Sequence, residues 1–240
     1  MSLSSNSIIH LTDDFSYLKG ILTSNFKVSY CKESIAAKDK TVHFFAPMVS
    51  FCDIPMSNIK DHISKYGNYG IGLTKEWAER KGLNPVLYLE KESTLSYSLY
   101  SLAKESLNNK KAPQWDLQQQ YMAEILRFTK NYQNDLDRKG NIFKDYRFSD
   151  EREWRYCPSY SDENYMLAGG GSSKSALNKK IDLELSFEAK DIKYLIVENE
   201  SDIIPLIELL RNKKGNSYSY HDVEILATRI ITSTQINSDF

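Results

Sequence analysis

From Thr94 to about Asn134 the apolar residues return at helical intervals, first Leu95, Leu99, Leu102 and Leu107, then Met122, Ile125, Leu126, Thr129 and Tyr132. On either side of that block the pattern is short and β-branched or aromatic, as in Ile8–Thr12, Tyr69–Thr74, Val86–Leu89, Arg152–Cys157 and Ile192–Glu198. Strands, then a helical block, then strands again argue for α+β and against a regular βαβ winding. A polar break at Asn108–Pro113 splits the block into two helices packed as a hairpin. The expectation is one α+β domain over residues 1–240 with a helical insertion at about 94–134, a length that one hydrophobic core can still serve.

Local signals fill in the rest. Asp13-Asp14 precedes Phe15, Leu18, Ile21 and Leu22 at helical spacing, so a strand runs into a capped helix. Phe26, Val28 and Tyr30 alternate as a strand does, whereas Pro47 interrupts Val42–Asp53 and predicts a loop leading into a core strand at Met48–Ile54. Pro55 opens a helix to about Lys65, and Gly82 ends the one that starts at Thr74. Ser201-Asp202 caps a helix to Arg211, and Val223–Thr232 reads as a final strand pair or extended segment.

Charge excludes little and directs less. Lys plus Arg number 31 against 32 for Asp plus Glu, so a net charge of -1 gives no global field for a polyanion; local patches remain at Asn108–Lys111 and Lys174–Lys180. Cys31, Cys52 and Cys157 have neither disulfide nor zinc spacing, and the four histidines are scattered, so no metal site is indicated. Cys52 with His62 as base would make a nucleophile, but its apolar surroundings favour an inert thiol. The polar start lacks a secretory signal and the apolar windows are too short for a membrane span, so the expected location is the cytoplasm, with no membrane role.

The glycine signals are weak for chemistry. Gly169–Gly171 lacks the spacing of a phosphate loop and reads as a mobile loop. Gly70 and Gly72 mark a strand to which another backbone or a ligand comes close. Two other places carry polar groups in a useful pattern. His10 and Thr12 alternate at a strand end before a helix, from which both can face a cleft. In Asp150-Glu-Arg-Glu-Trp-Arg155, Glu151 and Glu153 fall on one face if the segment enters a strand. A carboxylate at a strand end can grip a ribose hydroxyl and assist cleavage through an oxocarbenium-like state; a charged edge strand or Glu–Arg ladder is the structural alternative.

Three segments together resemble the AbiGi-type abortive phage resistance family. They are Ile9-His-Leu-Thr-Asp-Asp with Leu18-Lys-Gly-Ile-Leu, then Pro47-Met-Val-Ser-Phe-Cys-Asp-Ile-Pro, then Tyr66-Gly-Asn-Tyr-Gly-Ile-Gly-Leu-Thr-Lys-Glu-Trp leading to Asn84-Pro-Val-Leu-Tyr. The resemblance covers roughly residues 8–157 and implies phage defence as one member of a toxin–antitoxin-like pair. A more distant resemblance, to ADP-ribosyltransferase-like toxins, implies a mixed, strongly twisted small sheet that binds NAD. On that resemblance His10 and Thr12 would hold the adenosine-side ribose, Ser50 or Tyr69 would stand at the nicotinamide side, and Arg155 would meet the pyrophosphate. Glu153, with Glu151 as its competitor, would be the catalytic carboxylate, and the acceptor would be nucleic acid or protein. The alternative is a non-enzymatic antitoxin that binds a cognate toxin through the helical block, with Trp115 and Tyr121 as exposed anchors.

Overall fold

The computed structural model describes residues 5–107, 115–138, 140–159, 173–212 and 218–239. The Asn108–Lys111 patch and the Gly169–Gly171 loop lie outside them. The elements through the helical block are β1 (Ser7–Thr12), α1 (Phe15–Ser24), β2 (Phe26–Lys27), β3 (Ser29–Ala37), β4 (Lys40–Cys52), α2 (Lys60–Tyr66), β5 (Tyr69–Thr74), α3 (Lys75–Arg80), β6 (Asn84–Pro85), β7 (Leu87–Leu89), α4 (Thr94–Leu107) and α5 (Leu117–Arg127). After them come β8 (Thr129–Asn131), β9 (Gln133–Arg138), β10 (Asn141–Arg147), β11 (Glu153–Tyr156), α6 (Lys174–Asn178), β12 (Glu184–Leu185), β13 (Ile192–Val197), α7 (Ile203–Arg211), α8 (Tyr220–Ala227), β14 (Ile230–Thr232) and α9 (Ser233–Asp239). They gather into two compact units, one of Met1–Lys27, Ser50–Leu83 and Glu184–Phe240, the other of Val28–Val49 and Asn84–Leu183.

The first unit is built on a mixed sheet. β5 lies between β1 and β13, antiparallel to both, and β14 adds parallel to β13. Because side chains alternate across a strand, the two faces differ. Ile9 joins Ile59, Ile63 of α2, Ile196 of β13 and Ile236 of α9 in one cluster. The opposite face carries an aromatic cluster in which Phe26 packs edge-on to Phe51 at 5.2 Å and lies 5.4 Å from Phe187. Trp77 of α3 sits 5.5 Å from Phe51. Asp14 caps α1 by accepting from Ser16 N–H at 2.7 Å, as the sequence predicts. The close approach expected at Gly70 and Gly72 is present: a Cβ at Gly70 would meet Leu11 Cδ2 at 2.9 Å and the His10 backbone carbonyl oxygen at 3.0 Å, and one at Gly72 would meet Tyr194 Cδ2 at 2.9 Å.

The second unit is organised around the β3–β4 hairpin, whose core residues Ile35, Phe44, Ala46 and Met48 meet Leu89, Leu99, Ala103 and Leu126. β4 runs unbroken through Pro47, where a loop was expected. Tyr30, opposite Pro47, sends its N–H to Asn178 Oδ1 at 2.7 Å, so the pair is a non-hydrogen-bonded one and the missing proline N–H costs this pairing nothing. Helices α4 and α5 pack together as the helical spacing implies, but the helical pattern ends at Arg127. Thr129 and Asn131 instead form β8, parallel to β7, and the Asn131 amide bonds both the N–H and the C=O of Ala36, at 2.8 and 2.9 Å. This doubled bond outweighs the continued helical period. A second antiparallel hairpin, β9–β10, was not foreseen; it closes at Gly140, whose φ is +85°.

Two further expectations are corrected. The first half of Val223–Thr232 lies in α8, which Ser219 and Asp222 start with a reciprocal capping box, leaving only Ile230–Thr232 extended. The cap before α7 is made by Asn199 with Asp202 on a preceding 3-10 turn, and Ser201 takes no part. Among the described residues no helix is long and apolar enough to cross a membrane.

Candidate functional site

The Glu151–Arg155 segment does not enter the sheet as one strand. Phe148–Glu151 is a 3-10 turn, Arg152 takes the left-handed conformation at φ +46°, and β11 starts at Glu153. The turn nonetheless brings Glu151 and Glu153 to one cation. Lys130 Nζ lies 2.8 Å from Glu151 Oε2 and 2.7 Å from Glu153 Oε2, with the Phe148 ring 4.5 Å beneath it.

Arg155 completes the group from the same strand face. Its Nε donates to Glu153 Oε1 at 2.7 Å and its Nη2 to Glu33 Oε2 at 2.9 Å. Nη1 reaches the Arg127 carbonyl at 2.7 Å, and Arg127 returns a bond of 2.7 Å to the Pro158 carbonyl, so two arginines tie the end of α5 to β11 and its continuation. The Glu153 N–H donates to the Tyr88 hydroxyl at 2.8 Å. Glu151, Glu153, Arg127 and Arg155 are all buried. Three carboxylates therefore surround two cations in the interior of one unit.

Burial alone would raise the Glu153 carboxyl, but the charges of Arg155 and Lys130 outweigh it and hold the group well below the usual carboxylate range. For Lys130 burial opposes the charge, and Glu153, Glu151 and Glu33 together keep it protonated above its ordinary value. Burial pushes the Tyr88 hydroxyl up, and the Cys157 thiol up to about 12. A carboxylate held so low stays ionised and is a poor proton donor or acceptor near neutrality. Both of its oxygens already accept hydrogen bonds.

The remaining predicted residues lie in the other unit, and the structure brings them onto adjacent strands. Thr12 pairs with Tyr69 across β1 and β5, and His10 Nδ1 donates to the Ser50 carbonyl at 2.8 Å. That bond fixes the tautomer with the proton on Nδ1. The His10 ring sits edge-on to Phe26 at 5.4 Å, within the aromatic cluster. Tyr69 stacks on Phe15 at 5.3 Å, and its hydroxyl donates toward Glu198 Oε2 at 3.2 Å and Asp202 Oδ2 at 3.3 Å. Cys52 is half-buried and Cys157 buried. Among the described residues no three His, Cys, Asp or Glu side chains are placed to share a metal ion.

Sequence reasoning missed Lys130, Glu33 and Tyr88. Lys130 falls within the helical period of Met122–Tyr132, and Glu33 lies in a strand whose polar residues gave no motif. The second half of the helical block also differs from expectation: Trp115 is buried, whereas Tyr121 is exposed. Around Tyr121, α5 distributes its residues unusually. Gln119 is buried, donating to the Ser106 carbonyl at 2.6 Å and closing a capping box with Asp116, while Leu117, Tyr121 and Ile125 stand 63%, 62% and 45% exposed. Spaced at i, i+4 and i+8, these three form a stripe along one side of the helix. The nearby Glu124 pairs with Arg127 of the same helix, so no free carboxylate adjoins the stripe from that position.

A buried ion-pair cluster in one unit, beside a helix with an apolar outer stripe, is set within a mixed α+β protein. Comparison with known proteins gives the family. The family model described as "Putative abortive phage resistance protein AbiGi, antitoxin" matches residues 24–198, and the chain belongs to this family. The match contains the whole unit that holds Glu33, Lys130, Glu151, Glu153 and Arg155, but not His10 or Thr12. The chain is also similar to the abortive phage resistance protein AbiGi of Lactococcus lactis subsp. cremoris, 27% identical over 224 residues, covering 82% of this chain and 90% of that protein. No solved structure matches the chain.

Proposed function

We propose that this member of the AbiGi family works in phage defence as an antitoxin, by binding a cognate toxin protein through the outer face of α5. The carrying observation is the apolar stripe on that helix: Ala123 and Leu126 turn into the core, while Leu117, Tyr121 and Ile125 on the outer side are left to solvent. The solvent face of such a helix is ordinarily polar. Tyrosine is among the residue types enriched at interface hot spots. The matched family's description as an antitoxin supports a toxin as the occupant.

The rival reading is NAD-dependent ADP-ribosyl transfer to a nucleic-acid or protein acceptor, with Glu153 as the catalytic carboxylate, His10, Thr12, Ser50, Tyr69 and Arg155 holding NAD. It requires Glu153 to offer an oxygen to a ribose hydroxyl, and the bonds from Arg155 and Lys130 weigh against that. Isothermal titration of the purified chain, first with the cognate toxin and then with NAD, separates the two. Saturable toxin binding without NAD binding or nicotinamide release is the expected result. NAD binding with nicotinamide release, and no heat from the toxin, would overturn it.

A further inference from the structure

We draw no further inference here: the strongest candidate, the polar cluster of Asn68, Tyr69, Glu198, Asp202 and Ser233 at the ends of β13 and β14, is an acidic cluster whose members hydrogen-bond one another, and nothing in the structure points to what it would bind.

Discussion

Glu153→Gln keeps the size of the side chain and removes its charge, so it separates a structural carboxylate from a catalytic one. Removing one partner of a buried ion pair costs roughly 3–5 kcal/mol, because the other charge stays buried without compensation. Here Lys130 would keep Glu151, and Arg155 would keep Glu33 and the Arg127 carbonyl, which places the loss at the lower end, about 3 kcal/mol. For a chain of this size that lowers the melting temperature by about 6–12 °C. The Glu153 carboxyl is depressed in the folded protein, so its contribution is complete above the unfolded value of 4.5 and is lost as pH falls through the lower, folded value. Thermal melts followed by circular dichroism should therefore show the full difference between wild type and variant near about pH 7, shrinking steadily in acid below about pH 4.5. A variant that melts within about 2 °C of wild type at neutral pH would refute the structural role, since that is the range of an ordinary surface substitution.

Lys130→Met should show the opposite pH dependence. The lysine is raised above its unfolded value of 10.5, so the wild type's advantage should persist at neutral pH and fade as alkaline titration passes that value toward the folded one. Asn131→Leu removes both bonds to Ala36 and leaves that backbone N–H and C=O without the amide, at a cost of about 2–4 kcal/mol readable by urea denaturation. Gly67→Ala should destabilise severely, because φ is +117° and the new Cβ would stand 2.3 Å from the Thr12 carbonyl oxygen and from Asp13 Cα; a wild-type melting curve would show that the turn relaxes freely. Cys157, buried and raised to about 12, should react with a thiol reagent at mildly alkaline pH only at the rate of unfolding.

Much of the backbone was legible because local signals agreed with one another. The short β-branched or aromatic runs Ile8–Thr12, Tyr69–Thr74 and Ile192–Glu198 predicted the strands that form the middle of the first unit, and Asp14 starts and Gly82 follows their helices where their chemistry requires. The errors fall where a non-local bond overruled a local pattern. Pro47 is tolerated because its facing residue bonds Asn178, far along the chain, and Thr129–Asn131 leaves the helical period because Asn131 finds Ala36.

The same rule explains the candidate site. The Glu–Arg pairing offered as the structural alternative for Asp150–Arg155 is what forms, between Glu153 and Arg155. Lys130, which joins Glu151 to Glu153, and Glu33, which takes the far side of Arg155, arrive from other elements and had no signature of their own. Of the two aromatics expected to be exposed, Tyr121 is exposed and Trp115 is buried beside the Asp116–Gln119 capping box that starts α5.

The measurement that bears most directly on the account is toxin neutralisation by a chain carrying Tyr121→Lys. A hot-spot residue contributes about 2 kcal/mol or more, so binding measured by titration should weaken about 30-fold or more and protection of toxin-expressing cells should be lost. The melting temperature should stay that of the wild type, because Tyr121 is exposed. Full protection and unchanged affinity in a normally folded Tyr121→Lys protein would contradict the proposal that the outer face of α5 is where this protein meets a toxin partner.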